Sequence, residues 1–210
     1  MMATVSSFRT TLADQINGLT RKVPVWCVYV AGLLPVPWLL YQAQTGGLGR
    51  EPISALEHEL GLLALQLIIA GLAVSPLRRF VGVNLMKFRR AVGVLAFVYV
   101  ALHLLVWLVL DIGIVSQIWA DIIKRPYITI GMISFLFMIP LAATSNNRAV
   151  KSLGASWRRL HFLVYPAAIL AVIHYIMVQK VWELEPLLYL LAILGLLALR
   201  IPKSVLQRNS

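Results

Sequence analysis

Six runs of apolar residues, each nearly as long as a bilayer is thick, decide what this chain can become. They lie at about 24–41, 58–76, 91–110, 127–144, 160–179 and 184–201. A hydrocarbon core of about 30 Å takes roughly 20 helical residues to cross. Within lipid every backbone N–H and C=O must be satisfied internally, which leaves only helices and closed barrels. None of the runs alternates with period two, which favours helices over the strands of a barrel. The pattern predicts an all-α integral membrane protein, a bundle of six transmembrane helices. Composition agrees: 60% of the residues are hydrophobic and only 13% charged, whereas a soluble domain carries about a quarter charged. Trp26, Trp38, Tyr41, Tyr127, Trp157 and Trp182 fall near the proposed helix ends, as interfacial aromatic belts do.

The net charge of +11 would suit nucleic acid if it were spread over a surface, but it is confined to the short segments between apolar runs. That distribution sets membrane orientation, and nucleic acid is rejected as a partner. With the N-terminus cytoplasmic, all of the 19 basic residues except Arg50, Lys124, Arg125 and Lys180 fall on the inner side. Of the eight acids only Asp14 does. Both termini are therefore expected in the cytoplasm. The chain divides into a cytoplasmic N-terminal segment (1–23), a six-helix transmembrane domain (24–201) and a cytoplasmic tail (202–210). No cleavable signal peptide, linker or internal repeat is evident, and the loops are too short for a soluble module. Cys27 is the only cysteine, which excludes an internal disulfide, a thiol relay and a cysteine-ligated iron–sulfur cluster.

The chemistry must then lie in the ionisable residues of the helices, which are rare in membranes and mark functional sites. His103 is 12 residues past Ala91, roughly 18 Å along the third run. His174 is 15 residues past Arg159, roughly 22 Å along the fifth. Both runs point outward, so the two imidazoles are expected at one depth in the outer half. Two such histidines on neighbouring helices suit a six-coordinate haem. His161 sits near the inner end of the fifth run, roughly 20 Å from His174 along a helix, which leaves room for a second redox group. The two side chains point to different faces unless Pro166 changes the phase. His58, between Glu57 and Glu59, is a secondary candidate, read as a proton carrier or an interface residue.

Haem propionates and flavin phosphates need cationic partners. Arg89, Arg90, Arg158 and Arg159 cluster at the inner side with His161, and Arg125 and Arg50 offer the same on the outer side. Gly61, Gly71, Gly93 and Gly131 are expected to permit close helix packing, and Pro35, Pro37, Pro140 and Pro166 to bend helices. Histidine chains also serve proton relays, so a small proton or solute transporter using His58, His103 and His174 is the competing function. A haem-free scaffold subunit is a third.

The ordered residues His58-Glu59-Leu60-Gly61, Arg89-Arg90 with Gly93, His103, and Arg125-Pro126-Tyr127 with Thr129 and Gly131 form a recognisable series. It continues with Leu153-Gly154, Trp157, Leu160-His161, Val164-Tyr165, His174-Tyr175 and Pro186-Leu187. Over about residues 24–200 the chain resembles the MsrQ (YedZ) family, a small branch of the ferric-reductase-like transmembrane superfamily. The resemblance implies a haem b-binding subunit of the bacterial inner membrane, also associated with FMN. Such subunits take electrons from the quinone pool or a flavin reductase. They deliver them to MsrP, a periplasmic molybdopterin enzyme that reduces methionine sulfoxide in oxidised proteins. His103, His161 and His174 match the family's haem-associated histidines. The wider superfamily carries two histidines on each of two helices, whereas the third run here holds only His103. One or two haems are therefore implied. The cytoplasmic FAD/NADPH domain of the related oxidases is absent, so electrons come from another donor.

Overall fold

A computed structural model describes residues 2–179 and 183–200. Trp182, Lys180, Lys203, Arg208 and the tail expected at 202–210 lie outside the described residues. Among the described residues all regular structure is helical. Five helical stretches are long and apolar enough to cross a membrane: Val25–Thr45, Pro52–Val81, Met86–Ile112, Pro126–Ala143 and Ala155–Val178. The sixth apolar run forms a shorter helix, Leu184–Ala198.

The spans are jointed where the sequence demands it. Val25–Leu33 (α2) gives way to Pro35–Thr45 (α3) because Pro35 starts a new first turn, where its missing N–H is harmless. Pro52–Pro76 (α4) runs on into a π-helical turn, Leu77–Val81, closed by Gly82 at φ 80°. Arg89–Leu105 (α5) ends in a second π-helical stretch, Val106–Ile112. Val115–Lys124 (α6) is a short helix between spans, followed by Pro126–Ala143 (α7). Asn147–Leu153 (α8) is capped by the Asn146 side chain, which accepts from the Ala149 N–H at 2.8 Å. Ala155–Leu160 (α9) and Val164–Val178 (α10) are separated by a 3-10 turn, His161–Leu163, just ahead of Pro166. The last described helix is Leu184–Ala198 (α11).

The N-terminal segment, for which the sequence predicts no element, contains a helix, Met2–Lys22 (α1). It is pinned to the turn between α4 and α5: the Asn17 amide donates to the Gly82 carbonyl at 2.9 Å and its oxygen accepts from the Asn84 N–H at 2.8 Å.

The core lies where α4, α5, α7, α10 and α11 meet, around Leu72, Ala96, Ala168, Val172 and Ile193. Outward-facing Trp26, Trp38, Leu136, Leu188 and Leu191 are exposed, as lipid-facing residues are when no lipid surrounds them. Small residues set the spacing: Ala91 and Ala168 are 0% exposed, and close backbone approach of this kind drives helix association in lipid. Polar ties reinforce it. Ser134 donates to the Ala167 carbonyl at 2.9 Å, and Gln66 donates to the Tyr189 hydroxyl at 2.9 Å. Tyr99, 1% exposed, donates to the Gly32 carbonyl at 2.7 Å. Tyr99→Phe is expected to lower stability by about 1 kcal/mol, read as an earlier thermal transition in detergent. An unchanged transition would mean that this bond contributes nothing.

Candidate functional site

A cavity of about 310 Å³ opens between α4, α5, α7 and α10, within the range of small-molecule and cofactor pockets. His103 of α5 and His174 of α10 both line it. The expected common depth is met: their ring centroids are 6.2 Å apart, with the planes at 77°.

Each ring is oriented the same way. His103 Nδ1 lies 2.8 Å from the Glu57 carbonyl oxygen, and His174 Nδ1 lies 2.8 Å from the Tyr127 carbonyl oxygen. A carbonyl only accepts, so in each imidazole Nδ1 carries the proton and Nε2 keeps its lone pair. Neither Nε2 has a hydrogen-bond partner among the described residues. These are the tautomers that present Nε2 to a metal, with the opposite nitrogen fixed by a carbonyl as in most histidine metal sites. A metal midway between the rings, bonded to both Nε2 atoms at about 2 Å, would place the centroids roughly 6 Å apart once about 1 Å from ring centre to nitrogen is added on each side. The observed 6.2 Å suits that arrangement, and the cavity around the pair supplies room for a planar chelate.

The rim of the cavity is polar. Ser54, Glu57, His58, Asp111, Arg125 and Tyr127 line it. His58 is exposed at the mouth with its ring 5.8 Å from that of Tyr175. It shares the cavity but is not part of the imidazole pair. The Arg125 guanidinium donates to the Tyr127 hydroxyl at 3.3 Å and lies 3.4 Å from the Asp121 carboxylate. The Tyr127 hydrogen bond, followed by the neighbouring negative charges, holds its pKa above the usual arginine value. Arg50, the other outer cation considered, does not line the cavity.

At the far end of the bundle His161 stands apart from this cavity. Its ring stacks on Trp157 at 3.8 Å, and its Nδ1 donates to the Trp157 carbonyl at 3.1 Å. Its Nε2 is buried without a partner among the described residues, so its lone pair is unengaged like those of the other two histidines. The arginines near it divide. Arg89 opens α5 half-buried, while Arg90 is engaged with Asn147 at 2.7 Å. Arg158 and Arg159 are exposed. Sequence reading passed over Arg200, which donates to the Leu72 carbonyl at 2.6 Å and the Tyr165 hydroxyl at 3.1 Å. In sequence it is one more cation at the end of the last apolar run, and nothing local sets it apart.

The expectation for the glycines needs dividing. Gly93 faces open space, whereas a Cβ added at Gly61 or Gly131 would meet the His103 or His174 ring.

Helical, apolar and organised around paired imidazoles, the molecule is a membrane protein of the ferric reductase like transmembrane class, whose family model matches residues 11–172. Among its relatives, the "Protein-methionine-sulfoxide reductase heme-binding subunit MsrQ" of Brucella ovis is 43% identical over 184 residues, covering 87% of this chain and 84% of the relative. The proteins of the same description from Brucella canis and Brucella suis align with the same identity and coverage. The chain belongs to the MsrQ family.

Proposed function

We propose that this protein is a haem b-binding electron-transfer subunit that carries electrons across a bacterial inner membrane to a periplasmic methionine sulfoxide reductase of the MsrP type. The observation that carries the proposal is the His103–His174 pair: centroids 6.2 Å apart, each Nδ1 fixed on a helix carbonyl and each Nε2 free. The relatives' description as heme-binding subunits of a methionine sulfoxide reductase supports it.

His103 and His174 would hold the haem of this cavity. Its iron supplies one-electron exchange between the ferric and ferrous states. The protein's own contribution would be to fix the tautomer of both ligands through the Glu57 and Tyr127 carbonyls and to place a cation, Arg125, at the rim. His161, with its bare buried Nε2, is the ligand candidate for a second haem near the other face. Arg89, Arg90, Arg158 and Arg159 are the candidate contacts there for propionates or for the phosphate of an FMN. One or two haems and an FMN thus remain within the proposal, as do quinone or a flavin reductase as electron donor.

Reduction of a sulfoxide to the thioether consumes two electrons and two protons and releases water. A membrane conduit delivers the electrons singly. In the proposed topology, six transmembrane helices with both termini cytoplasmic, the His103–His174 cavity belongs to the periplasmic side, next to such a partner. The positive charge of the inner loops supports that orientation.

The test is purification in detergent with quantified pigment. The expected protein is red, with a reduced-minus-oxidised haem b spectrum, and His58→Ala retains that spectrum because His58 stands at the mouth. A colourless protein that conducts protons or a solute would contradict the proposal and favour a histidine relay.

A further inference from the structure

The two sides of the cavity are built on one register. Glu57, His58, Gly61, Leu62 and Leu65 of α4 are answered 70 positions later by Tyr127, Ile128, Gly131, Met132 and Phe135 of α7. On the facing helices, Val100, His103 and Leu104 of α5, with Trp107 of the π-helical stretch that continues it, are answered 71 positions later by Ala171, His174, Tyr175 and Val178 of α10. All of these line the cavity. The pairs share little residue identity beyond glycine with glycine and histidine with histidine, so no repeat shows in the sequence.

What recurs is a contact. The histidine on one helix donates to a carbonyl of its neighbour, Glu57 or Tyr127. The glycine one turn further along that neighbour lies against the ring. A Cβ at Gly61 would stand 3.1 Å from His103 Nδ1 and 3.3 Å from its Cε1. A Cβ at Gly131 would stand 2.9 Å from His174 Nδ1, 3.1 Å from Cε1 and 3.3 Å from Cγ. The obstructed atoms belong to the imidazoles, not to a neighbouring helix backbone. The two glycines therefore serve the rings, beyond any service to helix packing.

We propose that Gly61 and Gly131, each with the carbonyl one turn before it, form a duplicated clamp that fixes the plane of each imidazole and holds the two planes near perpendicular. They are positioning residues, acting on the metal site only through His103 and His174. The proposal rests on the assignment of those two histidines as haem ligands. A methyl group at either glycine forces its ring to rotate or withdraw, and both movements weaken the Nδ1–H···O=C bond. That bond makes the imidazole a stronger electron donor. Weakening it favours the ferrous state and raises the midpoint potential. Gly131, with the closer approach, is the more sensitive position.

The experiment compares purified wild-type protein with Gly131→Ala, Gly61→Ala and Gly195→Ala, where an added Cβ meets nothing within 4 Å. Low-temperature EPR of the ferric form and redox titration are the readouts. Wild type is expected to give the strongly anisotropic low-spin signal of near-perpendicular axial planes. Gly131→Ala is expected to move the low-field feature to lower g and raise the potential, Gly61→Ala to do both to a smaller degree, and Gly195→Ala to match wild type. A haem-loaded Gly131→Ala with unaltered signal and potential overturns the clamp, as does a wild-type signal of near-parallel planes. Should Gly131→Ala accumulate without haem, Gly61→Ala decides: unchanged from wild type, it too overturns the clamp. Absence of haem from the wild type, or its full retention in both His103→Ala and His174→Ala, would instead sink the haem assignment itself.

Discussion

His103→Ala and His174→Ala are each expected to strip the haem component bound in the cavity, lowering its occupancy by more than about tenfold. Loss of a supporting outer-shell partner alone typically costs 10–100-fold in metal affinity, and here a ligand itself is removed. Each substitution also deletes the side chain bonded to the Glu57 or Tyr127 carbonyl, so no neighbouring group inherits the position. The check is haem per protein in detergent-purified samples, with added imidazole as a rescue. Partial return of the low-spin spectrum with imidazole separates a missing ligand from a misfolded bundle. His161→Ala is expected to leave this component intact, because His161 does not line the cavity. Wild-type occupancy in both of the first two variants would contradict the ligand assignment.

The second large effect comes from a residue with no polar chemistry. Ala168 is 0% exposed in the core where α4, α5, α7, α10 and α11 meet, next in sequence to Ala167, whose carbonyl accepts from Ser134 and ties α10 to α7. Ala168→Phe adds a ring where no space exists. Overpacking of this kind typically costs about 1–3 kcal/mol, and relief by displacing α10 from its neighbours would withdraw His174 from the Tyr127 carbonyl. Both a lower thermal transition and loss of haem are therefore expected. Leu191→Phe enlarges a side chain that is 65% exposed and is expected to change neither. Equal behaviour of the two variants would show that the packing of α10 into the core does not hold the site.

These expectations show which parts of the molecule were legible beforehand. Five of the six apolar runs reappear as helices long enough to span, because a membrane segment is specified by length and hydropathy over roughly 20 residues. The common depth of His103 and His174 was also readable, since rise per residue is fixed in a helix. The clamp around them was not. Its hydrogen-bond acceptors are backbone carbonyls, and any residue type supplies one, which is why Glu57 and Tyr127 fill equivalent places with unrelated side chains. Gly61 and Gly131 were legible as small residues but not as ring contacts, because Gly93 looks the same in sequence and faces open space. The helix α6 could have been found: Val115, Ile118, Trp119, Ile122 and Ile123 follow helical spacing along one face, but a search for long apolar runs passes over so short a segment. The docking of α1 through Asn17 depends on a contact 65 residues distant, which no local pattern encodes.

The most direct test is an experimental density map of the purified protein at the level of His103 and His174. A metal should stand between the two Nε2 atoms, about 2 Å from each, within a planar macrocycle filling the cavity of α4, α5, α7 and α10. A cavity holding lipid or water, with both imidazoles unligated in pigmented protein, would contradict it.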